Sequence, residues 1–153
     1  MDAFELLKKD HREAEGLITE LENAAEQSVN VSHRQTFEKL KNALSLHMKI
    51  EESVIYPALE EFKETAGHIP DAFEEHEEVK EQLADMDELE PSSQEFQDIL
   101  ADLRDGIEHH VEEEEDELFP KAEEVLGAER VSVIGKQIEE MKGKADTGKS
   151  MSV

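Results

Sequence analysis

The sequence predicts an all-α protein: an up-down-up-down four-helix bundle with a short C-terminal fifth helix. Three observations predict it. The 153 residues are rich in Glu, Lys, Leu and Ala, with one Tyr, no Trp, seven Gly and four Pro, a composition that favours helix over strand. Apolar residues recur at alternating three- and four-residue spacings along four long segments, which is the seam of a bundle helix. Capping residues, Gly and Pro fall between those segments, so the connections are short and neighbouring helices run antiparallel.

The first segment opens at Asp2, with Glu5 completing a capping box. Its seam runs Phe4, Leu7, His11, Ala14, Ile18, Leu21, Ala25, and it fades at Gln27-Ser28-Val29-Asn30. Ser32 with Gln35 caps the second segment, whose seam is Phe37, Leu40, Leu44, His47, Glu51, Val54, Ala58. Pro57 removes a backbone donor and crowds the preceding turn, so a kink is expected there, with the helix continuing to about Ala66 before Gly67. The third segment starts near Pro70 and carries Ile69, Phe73, His76, Val79, Leu83 and Met86. After the break at Pro91-Ser92-Ser93, Ser92 with Glu95 caps the fourth. That helix presents Leu100, Leu103, Ile107, His110, Glu114, Leu118, Ala122 and Val125 and ends at Gly127. A short fifth helix over about 129–142 has Val131, Ile134, Ile138 and Met141 on one face. The bundle spans about 2–126, one domain covers 1–143, and the polar stretch 144–153 reads as a flexible tail.

The formal charge of -25 repels nucleic acid and anionic membranes and makes cations the natural partners. With no cysteine, disulfides, iron–sulfur ligation and thiol catalysis are excluded, and any metal must be held by His and carboxylate. The N-terminus shows no signal-peptide pattern, and no run approaches the ~20 apolar residues of a membrane span. A soluble cytoplasmic protein, monomeric or weakly dimeric, is expected.

One block occurs twice. His47-Met48-Lys49-Ile50-Glu51 is followed by Tyr56-Pro57, and His110-Val111-Glu112-Glu113-Glu114 by Phe119-Pro120. Each block is preceded by a helix with one seam His, in Asp10-His11 and Glu75-His76. Two helix pairs about a pseudo-two-fold axis would bring all six groups to one level of the core. A single His-x-x-x-Glu pair is as readily a surface ion pair. Here the polar groups replace apolar residues in the seam, and a buried carboxylate is costly unless a cation compensates it. Two metal ions would do so; nitrogen and carboxylate ligation suits iron best, with zinc and manganese as alternatives. A one-residue slip would substitute His109 and Glu113 for His110 and Glu114, but the Pro120 spacing opposes it. His33, His68 and His109 read as surface residues. Tyr56 and Phe119 read as packing residues, with the Tyr56 hydroxyl needing a partner if buried. No His-Glu-x-x-His or phosphate loop occurs, nor the Glu-x-x-His of ferritin-like di-iron sites.

The six residues in this order, with the two aromatic-Pro pairs, resemble the hemerythrin family, specifically the bacterial HHE cation-binding domains, over roughly residues 2–125. The resemblance implies two non-heme iron ions joined by an oxo or hydroxo bridge. His11 and His47 would hold one, His76 and His110 the other, and Glu51 and Glu114 would bridge them. Oxygen-carrying members have a fifth His one turn from the third-helix ligand and an Asp on the fourth helix. Here those positions are Ala72 and Lys80, and the fourth-helix carboxylate is Glu114. An iron lacking a His has a position for inner-sphere chemistry, which weakens the case for oxygen carriage. The expected function is to bind or react with peroxide, dioxygen or nitric oxide, with catalase- or peroxidase-like peroxide decomposition as the enzymatic form. The alternatives are a reversible oxygen- or iron-binding or sensing module, and an iron donor for repair of iron centres.

Overall fold

A computed structural model describes the backbone of residues 1–25 and 30–151, and the side chains of 1–24 and 32–145. Helix α1 (Ala3–Glu22) starts as predicted: Asp2 is extended and its carboxylate accepts the Glu5 backbone N–H at 2.9 Å, satisfying a donor the first turn leaves open. A 3-10 turn, Asn23–Ala25, follows. Of the predicted fade, Gln27, Ser28 and Val29 lie outside the described residues, and Asn30 is already helical. Because α2 (Asn30–Ile50) begins there, Ser32 lies inside the first turn and does not cap it. Its carbonyl accepts from Thr36 Oγ at 3.2 Å.

Pro57 is met by a π-helical turn, Glu51–Ile55, where the sequence predicts a kink. In it the Tyr56 N–H reaches back to the Glu51 carbonyl. A proline in an uninterrupted α-helix deprives the carbonyl four residues before it of a donor and presses its ring against that group. One extra residue in the turn relieves the clash. Helix α3 (Tyr56–Glu60) then carries Pro57 in its first turn, where no amide donor is required. The same device recurs at Glu114–Leu118, where the Phe119 N–H bonds the Glu114 carbonyl ahead of Pro120. Each π turn therefore opens on the Glu of a His-x-x-x-Glu pair. The extra residue also rotates the buried face: Ile55 and Tyr56 are buried, while the predicted seam residue Val54 is only partly so.

The expected run to Ala66 breaks at Phe62, which is extended (φ -114°, ψ 132°) ahead of α4 (Lys63–Ala66). The buried Thr65 hydroxyl donates to the Leu59 carbonyl at 2.6 Å and so occupies the acceptor that another helical turn would use. Helix α5 (Ile69–Met86) has Pro70 in its first turn. Helix α6 (Gln94–Glu113) is capped by Ser93, whose hydroxyl accepts the Phe96 N–H at 3.2 Å. The predicted cap, Ser92, is one residue early; Ser93 is the one whose extended backbone (ψ 150°) aims its oxygen at the first amides. Helix α7 (Phe119–Met151) is two helices joined at Gly127 (φ 82°, ψ 157°), a conformation essentially confined to glycine. The fourth rod ends there, and the fifth helix continues past Lys142 through Met151.

The four rods bury two apolar cores. Phe4, Leu7, Ile50, Leu59, Phe119 and Ala122 build one, with Val131, Ile134 and Ile138 of the fifth helix laid over it. Ile18, Leu21, Phe37, Phe96, Leu100 and Leu103 belong to the other. Between them lies a polar layer in which His11, His47, Glu51, His76 and Glu114 are buried. The fifth helix approaches the N-terminus backbone to backbone: a Cβ at Gly135 would come within 3.0 Å of the Ala3 nitrogen. Among the described residues no helix is long and apolar enough to cross a membrane.

The junction is testable. Gly127→Ala is expected to lower stability by about 1–3 kcal/mol in urea denaturation, because alanine is strained at that φ. Gly16→Ala, in α1 with open space around it, is expected to be neutral or stabilising.

Candidate metal centre

All six predicted residues meet in the polar layer. His47 and Glu51 arrive from α2 and the π turn that extends it, His110 and Glu114 from α6 and its π turn, His11 from α1 and His76 from α5. Glu51 Oε1 lies 3.2 Å from His47 Nε2, 3.1 Å from His76 Nε2 and 3.7 Å from His110 Nε2. Glu114 lies 3.3 Å from His11 Nε2 through one oxygen and 3.2 Å from His110 Nε2 through the other. Each carboxylate thus faces imidazoles of both halves of the duplicated chain. Two groups of three donors result: His11, His47 and Glu114, and Glu51, His76 and His110, each with ligand atoms within 4.8 Å of one another.

The outward nitrogens are all engaged by acids. His11 Nδ1–H donates to Glu115 at 2.7 Å, His47 Nδ1–H to Asp10 at 2.9 Å, His76 Nδ1–H to Glu52 at 2.7 Å and His110 Nδ1–H to Glu75 at 2.6 Å. An ionised carboxylate only accepts, so a proton sits on each Nδ1 and each Nε2 is turned to the interior, where it offers a lone pair to a cation once any second proton has left. This is the arrangement by which proteins orient metal-binding histidines. These four acids are residues that sequence reasoning missed. The signal was adjacency: Asp10 and Glu75 precede His11 and His76, and Glu52 and Glu115 follow Glu51 and Glu114.

Tyr56, expected to be a packing residue, turns its buried hydroxyl into the layer. It donates to Glu114 at 2.8 Å, lies 3.2 Å from Glu51 and reaches His76 Nε2 at 3.3 Å. Its counterpart Phe119 stacks on His11, with ring centroids 6.1 Å apart and planes at 9°. Among the described residues, the buried side-chain nitrogens and oxygens without a hydrogen-bond partner are His11 Nε2, His47 Nε2, His110 Nε2, Glu51 Oε2 and Glu114 Oε1. All five belong to this layer. Buried polar atoms are otherwise almost always paired, so a sulfur-free set of converging lone pairs is what bound cations would satisfy, and the donors fit a pair of metal ions.

Of the remaining histidines, His33 is buried, contrary to the surface position expected for it. His68 is half-buried at the start of α5. His109 is 65% exposed, 3.1 Å from Glu113 and 3.8 Å from Glu75, so the alternative helix register is not the one that faces the core. A cavity of about 130 Å³ touches all four site imidazoles and is otherwise walled in large part by Ala14, Leu44, Met48, Val79, Ile107 and Val111.

Without a cation, protons balance the carboxylates. Burial alone would lower the His47 pKa, but the Glu51 carboxylate, aided by Asp10 and Glu114, raises it to about 10. His110 is likewise raised against burial by Glu114, Glu51 and Glu75. Glu51 is held well below the usual carboxylate range, since His47, Glu114 and His110 outweigh its burial. Burial raises Asp10, but His47 and Lys142 lower it further.

A helical bundle that encloses inward-facing imidazoles and carboxylates is a cation-binding protein by architecture. Residues 2–122 match the family Hemerythrin HHE cation binding domain; the chain belongs to that family and is a metal-binding, hemerythrin-like protein. The crystal structure of a Hemerythrin HHE cation binding domain-containing protein from Mycobacterium kansasii aligns with a TM-score of 0.80 at 25% identity, covering 96% of this chain and 89% of that one. An uncharacterized protein of Mycobacterium tuberculosis is 29% identical over 122 residues, 78% of this chain and 71% of its own length. A DNA nickase of Nostoc sp. is 28% identical over 130 residues, 85% of this chain, but the chain spans only 36% of that relative's length.

The protonation pattern predicts a pH profile for the chelated protein. A His47 pKa raised above 6.5 contributes stability that is present below pH 6.5 and lost as pH climbs towards about 10. A Glu51 pKa depressed below 4.5 contributes stability present above pH 4.5 and lost as pH falls. Denaturation midpoints with chelator present are therefore expected to peak between about pH 4.5 and 6.5 and to decline on both sides. A flat profile from pH 6.5 to 9 would contradict the assignment of the extra proton to His47.

Proposed function

We propose that the polar layer holds two non-heme iron ions and that the protein binds or reacts with a small oxidant: peroxide, dioxygen or nitric oxide. His11, His47, His76 and His110 are the nitrogen ligands, and Glu51 and Glu114 are the carboxylates between the two positions. The observation that carries this reading is the convergence of five unpartnered buried donor atoms on one layer. Iron bound there supplies Lewis acidity and one-electron chemistry to a small ligand. The chain does the rest. Asp10, Glu52, Glu75 and Glu115 hold each imidazole with its lone pair inward. The Tyr56 hydroxyl offers an oxygen beside His76. The largely apolar cavity at the imidazoles favours a small, weakly hydrated molecule over an ion.

DNA cleavage, the activity in the name of the Nostoc relative, is not carried over. A chain of net charge -25 meets the phosphate backbone with repulsion, and its match covers a minor part of that protein.

Metal analysis after iron-replete expression is expected to give two iron equivalents per chain; none would refute the centre. Loading at pH 7 is expected to release protons, since His47 and His110 must give theirs up to ligate, and a pH-indicator titration measures it. Glu75→Ala, which frees the His110 ring, is expected to weaken metal binding by about 10–100-fold. Oxygen release from peroxide by the iron-loaded protein, lost in His47→Ala, would establish turnover. A reversible visible spectrum on oxygenation without consumption would instead establish a carrier or sensor.

A further inference from the structure

The four acids that hold the imidazoles are not backed alike. Behind His11, Glu115 meets Arg12 Nη2 at 2.5 Å. Behind His47, Asp10 is bonded by Lys142 Nζ. Behind His76, Glu52 has Lys80 Nζ at 3.3 Å, and that ammonium is shared with Glu77 at 3.1 Å. Behind His110, the chargeable side chain near Glu75 among the described residues is the exposed His109, at 3.8 Å. The His11–His47 position is thus backed by two close positive charges, Lys142 and the 55% exposed Arg12, which Glu15 also holds at 2.7 Å, and the His76–His110 position by one longer, shared contact.

Lys142 stands apart from the other cations. It lies on the fifth helix, which has no counterpart in the duplicated halves, four residues after the fully buried Ile138. Its side chain is 26% exposed and that of Asp10 14%, so solvent screens the pair less than a surface ion pair. A second asymmetry falls the same way. Tyr56 places an oxygen beside His76, where its counterpart Phe119 offers His11 only a ring face.

We infer that Lys142 is a positioning residue that makes the two metal positions unequal, lowering the cation affinity of the His11–His47 position below that of His76–His110. This rests on the metal-centre reading above. A carboxylate strengthens an imidazole as a ligand by accepting its Nδ1–H. An ammonium on the same carboxylate draws charge away from that hydrogen bond and also repels a nearby cation directly.

Cobalt(II) titration of the metal-free full chain, followed by visible absorption and calorimetry, tests this without any turnover. The wild type is expected to bind two equivalents in two resolved steps, the weaker one missing in His47→Ala. Lys142→Gln is expected to tighten the weaker step by about 3–10-fold and leave the stronger one in place. Lys142→Arg, which keeps the charge, should restore the wild-type separation. Arg12→Gln should tighten the same step, a second check that does not depend on the fifth helix. If Lys142 only pinned that helix, its loss would loosen binding. An unchanged or weakened step in Lys142→Gln, or two equal steps in the wild type, would overturn the inference while leaving the metal centre standing. No cobalt bound by the wild type would overturn both.

Discussion

Four short hydrogen bonds, from imidazole Nδ1–H to carboxylate, set what the core of this protein is. At 2.6–2.9 Å they fix a proton on the outward nitrogen of each histidine, and hence turn the four Nε2 atoms inward between the helices. Remove them and the rings can turn or change tautomer, and the layer becomes six polar groups with no common purpose. Their cost is moderate because the acids sit towards the solvent ends of the rings: Glu52 and Glu75 side chains are 23% and 24% exposed, against 0% for Glu51. The centre is graded from solvated acid, through buried imidazole, to fully enclosed carboxylate.

The π turns serve the same end from the backbone side. Glu51 and Glu114 each open a turn forced by a proline six residues further on. At the end of each widened turn two successive residues are buried: Ile55 with Tyr56, and Leu118 with Phe119. In the first copy that second residue is a tyrosine, and its hydroxyl reaches both glutamates. A proline usually counted as a helix fault is thus what brings an additional oxygen to the site.

The helices and the six inward polar residues were legible in the sequence because they share one pattern: a His or Glu at a seam position breaks an otherwise apolar stripe. The outer acids were not legible from composition. With 41 Asp and Glu in the chain, nothing marks Asp10 or Glu75 except standing beside a seam histidine in both copies. Tyr56 was read as a packing residue whose hydroxyl needs a partner if buried, and its partners lie in the polar layer; seam counting, which assumes an unbroken helical period, put Val54 on the inward face, which the extra residue of the π turn gives to Ile55 and Tyr56. The cap at Ser32 failed because the helix already starts at Asn30, and the cap at Ser92 because Ser93 is the residue with the extended backbone; the spacing to the next Glu or Gln decides neither.

The pattern of who holds whom crosses the halves of the chain. Asp10 and Glu75 hold a histidine of their own half, but Glu52 reaches His76 and Glu115 reaches His11. A half-length hairpin with one such set would therefore lack the acid for its own first histidine. Two copies about a two-fold axis would complete each other, each lending the acid the other lacks. In geometric terms the single chain is a homodimer with its ends joined, and its differences between halves, at Tyr56 and Phe119, are changes that an assembly of identical subunits could not have made one side at a time.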